Sequence, residues 1–212
     1  MSVSMAEISE NLQKGKAKVV KEMVQQAIDE KINPSVILNE GLLSGMDVIG
    51  EKFKNNEVFV PEVLIAARAM NQGMEILKPL LKEAGAKPLG KALIGTVKGD
   101  LHDIGKNLVK MMLEGKGIEV IDLGVDVSAE KYLEAYKKEN ARIICCSSLL
   151  TTTMGEMKNV VEIFVKEGIR DKVTIMVGGA PVNEEFRKSI GADIYTPDAA
   201  SAADAAKAVL LK

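Results

Sequence analysis

One histidine, His102, occurs in the whole chain, within Gly99-Asp100-Leu101-His102-Asp103-Ile104-Gly105. A neutral imidazole can accept a proton or ligate a metal, and near neutral pH small environmental changes decide which form is present. The ordinary alternative is a surface-loop histidine with no role. The two cysteines, Cys145 and Cys146, are adjacent in an apolar run. Such neighbours build no disulfide framework, so they read as buried small apolar residues in a reducing compartment, not as metal ligands. Gly178-Gly179 follows another apolar run, where either an ordinary strand-to-helix turn or a close backbone approach would require glycine. Asp126 and Ser128 suit capping of the helix that follows them, and Thr153 suits the same task before Met154.

Two kinds of element must position these residues. Residues 1 to about 85 read as helices only, with Ile8 and Leu12, then Val20, Val24 and Ala27, at helical spacing. Pro34 suits a first turn, a run from Val36 to Phe53 follows, and Pro61 opens a last run through Met70, Leu77 and Leu81. These stripes bury against one another as a four-helix bundle. Gly85 to Gly90 break the pattern, and alternation begins. Apolar runs at Ala92–Val97, Ile118–Leu123, Arg142–Ser147, Val173–Val177 and Asp193–Tyr195 read as strands, with helical patterns starting near Ile104, Ala129, Met154, Glu184 and Ala200. The expected fold is α/β: a helical cap over 1–86, then a Rossmann-like domain over 87–212 with five parallel strands in flavodoxin-like order. Ligands of such sheets lie at the carboxyl ends of strands near the switch point. The His102 loop, Ser147-Ser148-Leu149 and Gly178-Gly179 each follow a strand and share that edge.

Composition narrows the function. Hydrophobic residues at 47% and charged residues at 27% are ordinary for a globular protein, and a net charge of −2 offers no footprint for nucleic acid or an anionic membrane. No apolar run approaches the roughly 18 residues a membrane span needs, and the first residues carry no basic-then-apolar leader pattern. A cytoplasmic location is expected.

Asp100-Leu101-His102-Asp103-Ile104-Gly105 resembles the Asp-x-His-x-x-Gly motif of the cobalamin-binding domains in methionine synthase, the acyl-CoA mutases and corrinoid methyl carriers. That family also has a Ser-x-Leu element, here Ser147-Ser148-Leu149, and a glycine pair, here Gly178-Gly179. Forty-one residues separate Gly105 from Ser147, and twenty-eight separate Leu149 from Gly178. Any one piece is uninformative; the three in register are specific, and the resemblance extends over the helical cap.

The resemblance implies a cobalamin or related corrinoid held base-off/His-on. The cofactor's own base leaves cobalt and His102 takes the lower axial position, with Asp103, Ile104 and Gly105 completing the motif. Asp100 would accept a hydrogen bond from the other ring nitrogen. Thr153 would continue that relay where methionine synthase has a serine. Gly95, Ser147, Leu149, Thr151, Gly178 and Gly179 would line the channel for the displaced nucleotide tail. In relatives the cap covers the upper cobalt face, and Phe59 and Val63 best match that surface, although both also suit a plain bundle core. Residues 85–90 would be the hinge on which the cap moves.

The implied function is a carrier alternating between Co(I) and methyl-Co(III) in one-carbon metabolism. A substrate:corrinoid methyltransferase for methanol, methylamines, quaternary amines or methoxyaromatics would load it. A corrinoid:tetrahydrofolate or coenzyme M methyltransferase would unload it, and a reductive activator would rescue Co(II). The chain has no constellation of its own for activating a methyl donor. A cobalamin-dependent sensor is the competing reading, but it needs a DNA-binding unit with a basic recognition helix. An adenosylcobalamin mutase subunit would lack such a cap, and a plain flavodoxin-like signalling domain would leave the spaced motif unexplained.

Overall fold

Asn33 and Pro34 show how locally the helices are set. The Asn33 side chain accepts a hydrogen bond from Ser35 N at 2.9 Å, and Pro34 fills the first helical position, where no N–H is needed. In this computed structural model, which describes residues 3–212, the helical part comprises α1 (Met5–Gln13), α2 (Ala17–Asp29), α3 (Pro34–Val36), α4 (Ser44–Lys54) and α5 (Val60–Glu83). A π-helical stretch, Ile37–Leu43, joins α3 to α4 without a break, so the expected fourfold bundle is preserved. Gly41 and Gly45 explain how α1 packs there: side chains at those positions would press on Ile8, and on Leu12 and the Ser9 carbonyl. Glu62 caps α5 by accepting a hydrogen bond from Phe59 N at 2.9 Å.

The alternating part runs β1 (Lys91–Thr96), α6 (Ile104–Glu114), β2 (Glu119–Asp122), α7 (Ala129–Glu139), β3 (Ile143–Ser147), α8 (Gly155–Lys166), β4 (Thr174–Gly178), α9 (Glu184–Ile190), β5 (Ile194–Tyr195) and α10 (Ala199–Leu210). All pairings are parallel, and the strand order is β2-β1-β3-β4-β5. The chain leaves β1 for one side and returns to β3 on the other, so β1 and β3 flank the switch point. Register then does the positioning. Thr96 of β1 pairs with Ser147 of β3, which pairs with Gly178 of β4, so three distant stretches meet in one row at the carboxyl edge. Helices cover both faces, and small residues let α10 pack closely on α6, with Ala199, Ala202, Ala203 and Ala206 all buried.

Contacts divide the chain into two units. One runs to Pro88 and includes Gly115–Gly117; the other comprises Leu89–Glu114 and Ile118–Lys212. In the first, Ile8, Leu12, Val24, Leu42 and Leu77 are wholly buried. In the second, Leu93, Tyr132, Ile144 and Phe164 anchor a core on one face of the sheet. Among the described residues no helix is long and apolar enough to cross a membrane.

Candidate functional site

The loop after β1 is tied at both ends. The Thr96 hydroxyl donates to the His102 carbonyl at 2.8 Å, and Asp100 N donates to Val97 O at 3.1 Å. Asp126 braces the loop from the side. Its carboxylate accepts from Gly99 N at 2.7 Å, and its own N–H donates to Asp100 O at 3.0 Å. Both residues adopt positive φ, 80° at Gly99 and 53° at Asp126, which glycine allows freely and aspartate tolerates. The expectation that Asp126 helps cap α7 is therefore corrected. Ser128 alone caps, accepting from Lys131 N at 3.4 Å, and Asp126 turns to the histidine loop.

Asp100 is wholly buried beneath that loop. One carboxylate oxygen accepts from His102 N at 3.0 Å and faces His102 Nδ1 at 2.7 Å. The other accepts from Leu149 N at 2.7 Å, Leu150 N at 3.3 Å and the Thr153 hydroxyl at 3.0 Å. Burial pushes the acid's pKa up, but the donors from His102, Leu149 and Thr153 outweigh it and hold Asp100 well below the usual carboxylate range. An ionised carboxylate can only accept, so the proton of the neutral ring must sit on Nδ1. The lone pair is left on Nε2, and the side chain is 51% exposed. This is the arrangement that orients a metal-binding imidazole.

Thr153 proves not to be the cap of α8. That helix begins at Gly155, its capping position is Met154, and no side chain caps it. The Thr153 hydroxyl lies 3.0 Å from the Asp100 carboxylate instead, with the Leu150 carbonyl at 3.0 Å and the Ser148 hydroxyl at 2.8 Å also in reach.

Around the imidazole the surface is apolar. Leu101 and Ile104 are 72% and 76% exposed, and Leu149 and Leu150 are also exposed. Four large apolar side chains in water beside one half-exposed ring mark a surface that a flat apolar group would cover. Gly105 and Gly178 leave open space where a side chain would stand. Gly179 differs: with φ at 133°, its missing Cβ would collide with the Ser148 carbonyl. The second glycine of the pair is thus needed for packing within the protein. Ser147 is half-buried at the same edge, and Thr151 is exposed.

Gly95 does not belong with this group. It is one residue out of step with Thr96, and a Cβ there would stand 2.7 Å from the Tyr132 hydroxyl, on the face covered by α7. Its lack of a side chain makes room for Tyr132. Asp103 is exposed, and its carboxylate accepts from Asn107 at 3.1 Å, which steadies the first turn of α6. Cys145 and Cys146 are buried free thiols, and burial pushes the Cys145 pKa up to about 12. In the helical unit Val63 is wholly buried, whereas Phe59 is 62% exposed.

Three contributors had escaped the sequence reading. Ser148 is wholly buried, with its hydroxyl 2.8 Å from that of Thr153. Thr96 holds the His102 carbonyl. Lys106, 3% exposed, reaches both oxygens of Asp122 at 2.8 Å and ties α6 to the end of β2. Of these, only Ser148 lay inside a stretch whose spacing had attracted attention.

Models of the B12 binding domain match residues 90–207 and, in a second form, residues 5–78. The chain is 41% identical over 207 residues to the dimethylamine corrinoid protein of Methanosarcina barkeri, covering 97% of each. The chain belongs to the B12-binding corrinoid proteins. It is also 41% identical over 192 residues to trimethylamine corrinoid protein 1 of Methanosarcina acetivorans, covering 90% of this chain and 89% of that one. Its fold matches a chain of the methanol:cobalamin methyltransferase complex from Methanosarcina barkeri with a TM-score of 0.86 at 33% identity, over 96% of this chain and 78% of that one. The site suits a corrinoid: a half-exposed ring with one nitrogen fixed and the other open, apolar side chains around it, and glycines beside it.

Proposed function

We propose that this chain is a corrinoid protein that carries a methyl group, with His102 Nε2 as the lower axial ligand and the cofactor's own base displaced. When bound, the corrinoid supplies a cobalt that takes a methyl group from one partner and gives it to another. The observation that carries the reading is the 2.7 Å contact between His102 Nδ1 and the buried Asp100 carboxylate.

The chain's own residues prepare and protect that site. Asp100 fixes the tautomer, so no ring rotation or proton shift has to precede ligation. Thr153 anchors Asp100. Leu101, Ile104, Leu149 and Leu150 exclude water from the ligated face. The row Thr96, Ser147 and Gly178, with Leu149 and Thr151 beyond it, supports a path for the displaced base along the face opposite Tyr132. Phe59, exposed at the start of α5, is the cap residue better suited to meet the cofactor; Val63 is already committed to its bundle.

A substrate-specific methyltransferase would load the carrier, in keeping with relatives named for trimethylamine and dimethylamine and with a structural relative from a methanol:cobalamin methyltransferase complex. A corrinoid:tetrahydrofolate or coenzyme M methyltransferase would unload it, and a reductive activator would restore oxidised cofactor. Buried free thiols suit the reducing cytoplasm. These relatives do not favour the sensor reading.

Because the chain has one histidine, the test is direct. Protein labelled with ¹⁵N-histidine and reconstituted with corrinoid should show, in the Co(II) state, an EPR nitrogen splitting that changes from three lines to two. A splitting unaffected by the label would refute His102 as the ligand.

A further inference from the structure

We infer that Ser148 is a positioning residue of this site: its hydroxyl steers the Thr153 proton onto Asp100 and so limits how strongly Asp100 pulls on the His102 ring. The inference rests on the corrinoid reading for its purpose, but not for its geometry.

Ser148 is held rigidly. It is wholly buried, its N–H donates to Gly178 O at 3.1 Å, and the Cα of Gly179 lies against its carbonyl. Its hydroxyl has three neighbours: Thr153 Oγ1 at 2.8 Å, Leu150 O at 3.1 Å and the Asp100 carboxylate at 3.4 Å. The Thr153 hydroxyl has one proton and three acceptors in reach: Ser148 Oγ at 2.8 Å, and Asp100 and Leu150 O each at 3.0 Å. Distance alone therefore does not direct Thr153.

Counting protons does. Two hydroxyl protons serve this cluster. If Ser148 donates to Leu150 O, that carbonyl is engaged and the Thr153 proton goes to Asp100. If Ser148 donates to Thr153 Oγ1, it polarises that hydroxyl, and the proton Thr153 offers in turn is drawn to the charged acceptor. The remaining arrangements, with the Thr153 proton on Leu150 O or on Ser148 Oγ, leave the charged carboxylate no hydroxyl donor closer than the 3.4 Å contact from Ser148 and are disfavoured for that reason. The two arrangements that give Asp100 its closer hydroxyl donor both use Ser148 in the other role. Without Ser148, Leu150 O loses a hydroxyl donor and the Thr153 oxygen loses its polarising partner, so Leu150 O competes more strongly with Asp100 for the Thr153 proton.

The consequence reaches His102 through charge. Donors on one carboxylate oxygen draw electron density away from the other, which receives Nδ1–H. Weakening the Thr153 donation therefore strengthens the bond from Nδ1–H and makes Nε2 the better electron donor. Ser148 acts in the opposite sense and keeps the ring a moderate ligand, suited to binding and release.

The ¹⁵N resonances of the single histidine ring, read in the neutral state of the apoprotein, test this without any cofactor. Ser148→Ala should move Nδ1 toward the position of an unprotonated nitrogen. Thr153→Val should move it the same way and at least as far, and Ser148→Ala should add nothing in the Thr153→Val background. Unchanged or opposite shifts in Ser148→Ala, or additive shifts in the double variant, would overturn the inference, since a merely structural serine predicts no such dependence. If Ser148→Ala does not fold, Ser148→Cys serves, because a thiol is a poor donor and should shift the resonance in the same direction. Failure of the corrinoid reading would appear separately, in the EPR experiment.

Discussion

Gly179 and Ser148 meet backbone to backbone: the hydrogen that Gly179 carries where other residues have Cβ faces the Ser148 carbonyl, with no room for a carbon. The glycine pair after β4 and the serine after β3 are thus two halves of one contact, and that contact holds the loop whose amides grip Asp100.

Replacing Gly179 with alanine should be severe. The new Cβ would meet backbone, which cannot swing aside, at a φ of 133° that side-chain-bearing residues rarely adopt. We expect a loss of about 3 kcal/mol or more in urea unfolding and loss of tight corrinoid binding. Gly178→Ala has open space around it and should fold normally; its effect, if any, should appear in corrinoid affinity alone.

Gly95→Ala separates packing from cofactor binding. The added carbon would lie 2.7 Å from the Tyr132 hydroxyl in a filled core. Overpacking of this kind costs about 1–3 kcal/mol. The folded fraction should bind corrinoid as the wild type does, measured by titration below the unfolding transition. A selective loss of affinity at unchanged stability would return Gly95 to the cofactor channel.

Lys106 and Asp122 give a pH signature away from the histidine. Burial pushes the Asp122 carboxyl up, but its bonds from Lys106 outweigh this and lower its pKa in the folded chain. A depressed folded pKa means that the contribution is present above the unfolded value and is lost as pH falls through the folded one. Wild-type stability should therefore decline below about pH 4, and Asp122→Asn should make that decline shallower, the remainder belonging to Asp100. Lys106→Met leaves Asp122 with the longer 3.4 Å contact to Lys110 and the Gly124 N–H, and should cost about 1–3 kcal/mol at neutral pH.

The thiols should be silent. Cys145 and Cys146 are buried, and burial raises Cys145 to about 12, so neither presents thiolate to reagents at neutral pH. Titration with a chromogenic disulfide should detect no thiol in the native chain and both after denaturation.

Much of this was legible in the residues. The strands could be read because parallel strands buried on both faces need continuous apolar runs, such as Ile143 to Cys146. The site's outline could be read because the His102 loop, Ser147-Ser148-Leu149 and Gly178-Gly179 each follow an apolar run that reads as a strand. Asp126 could not be assigned, since its partner Gly99 lies 27 residues away and an Asp-x-Ser sequence looks like a cap. Thr153 was ambiguous for the same reason, as capping and relay require the same hydroxyl. Lys106 gave no signal, because a lysine in a helix's first turn is usually solvated. The register of Gly95 was visible in the alternation of β1, but the tyrosine awaiting it was not.

The row formed by Thr96, Ser147 and Gly178 has a consequence for how the protein is made. A slip of one position in β3 would turn Ser147 to the wrong side and leave Asp100 without its amide donors, so only a chain with all three strands seated has a binding site. A ligand that recognises this row therefore selects the correctly assembled sheet. By mass action it should protect that state from unfolding and proteolysis, with corrinoid supply setting how long the protein survives.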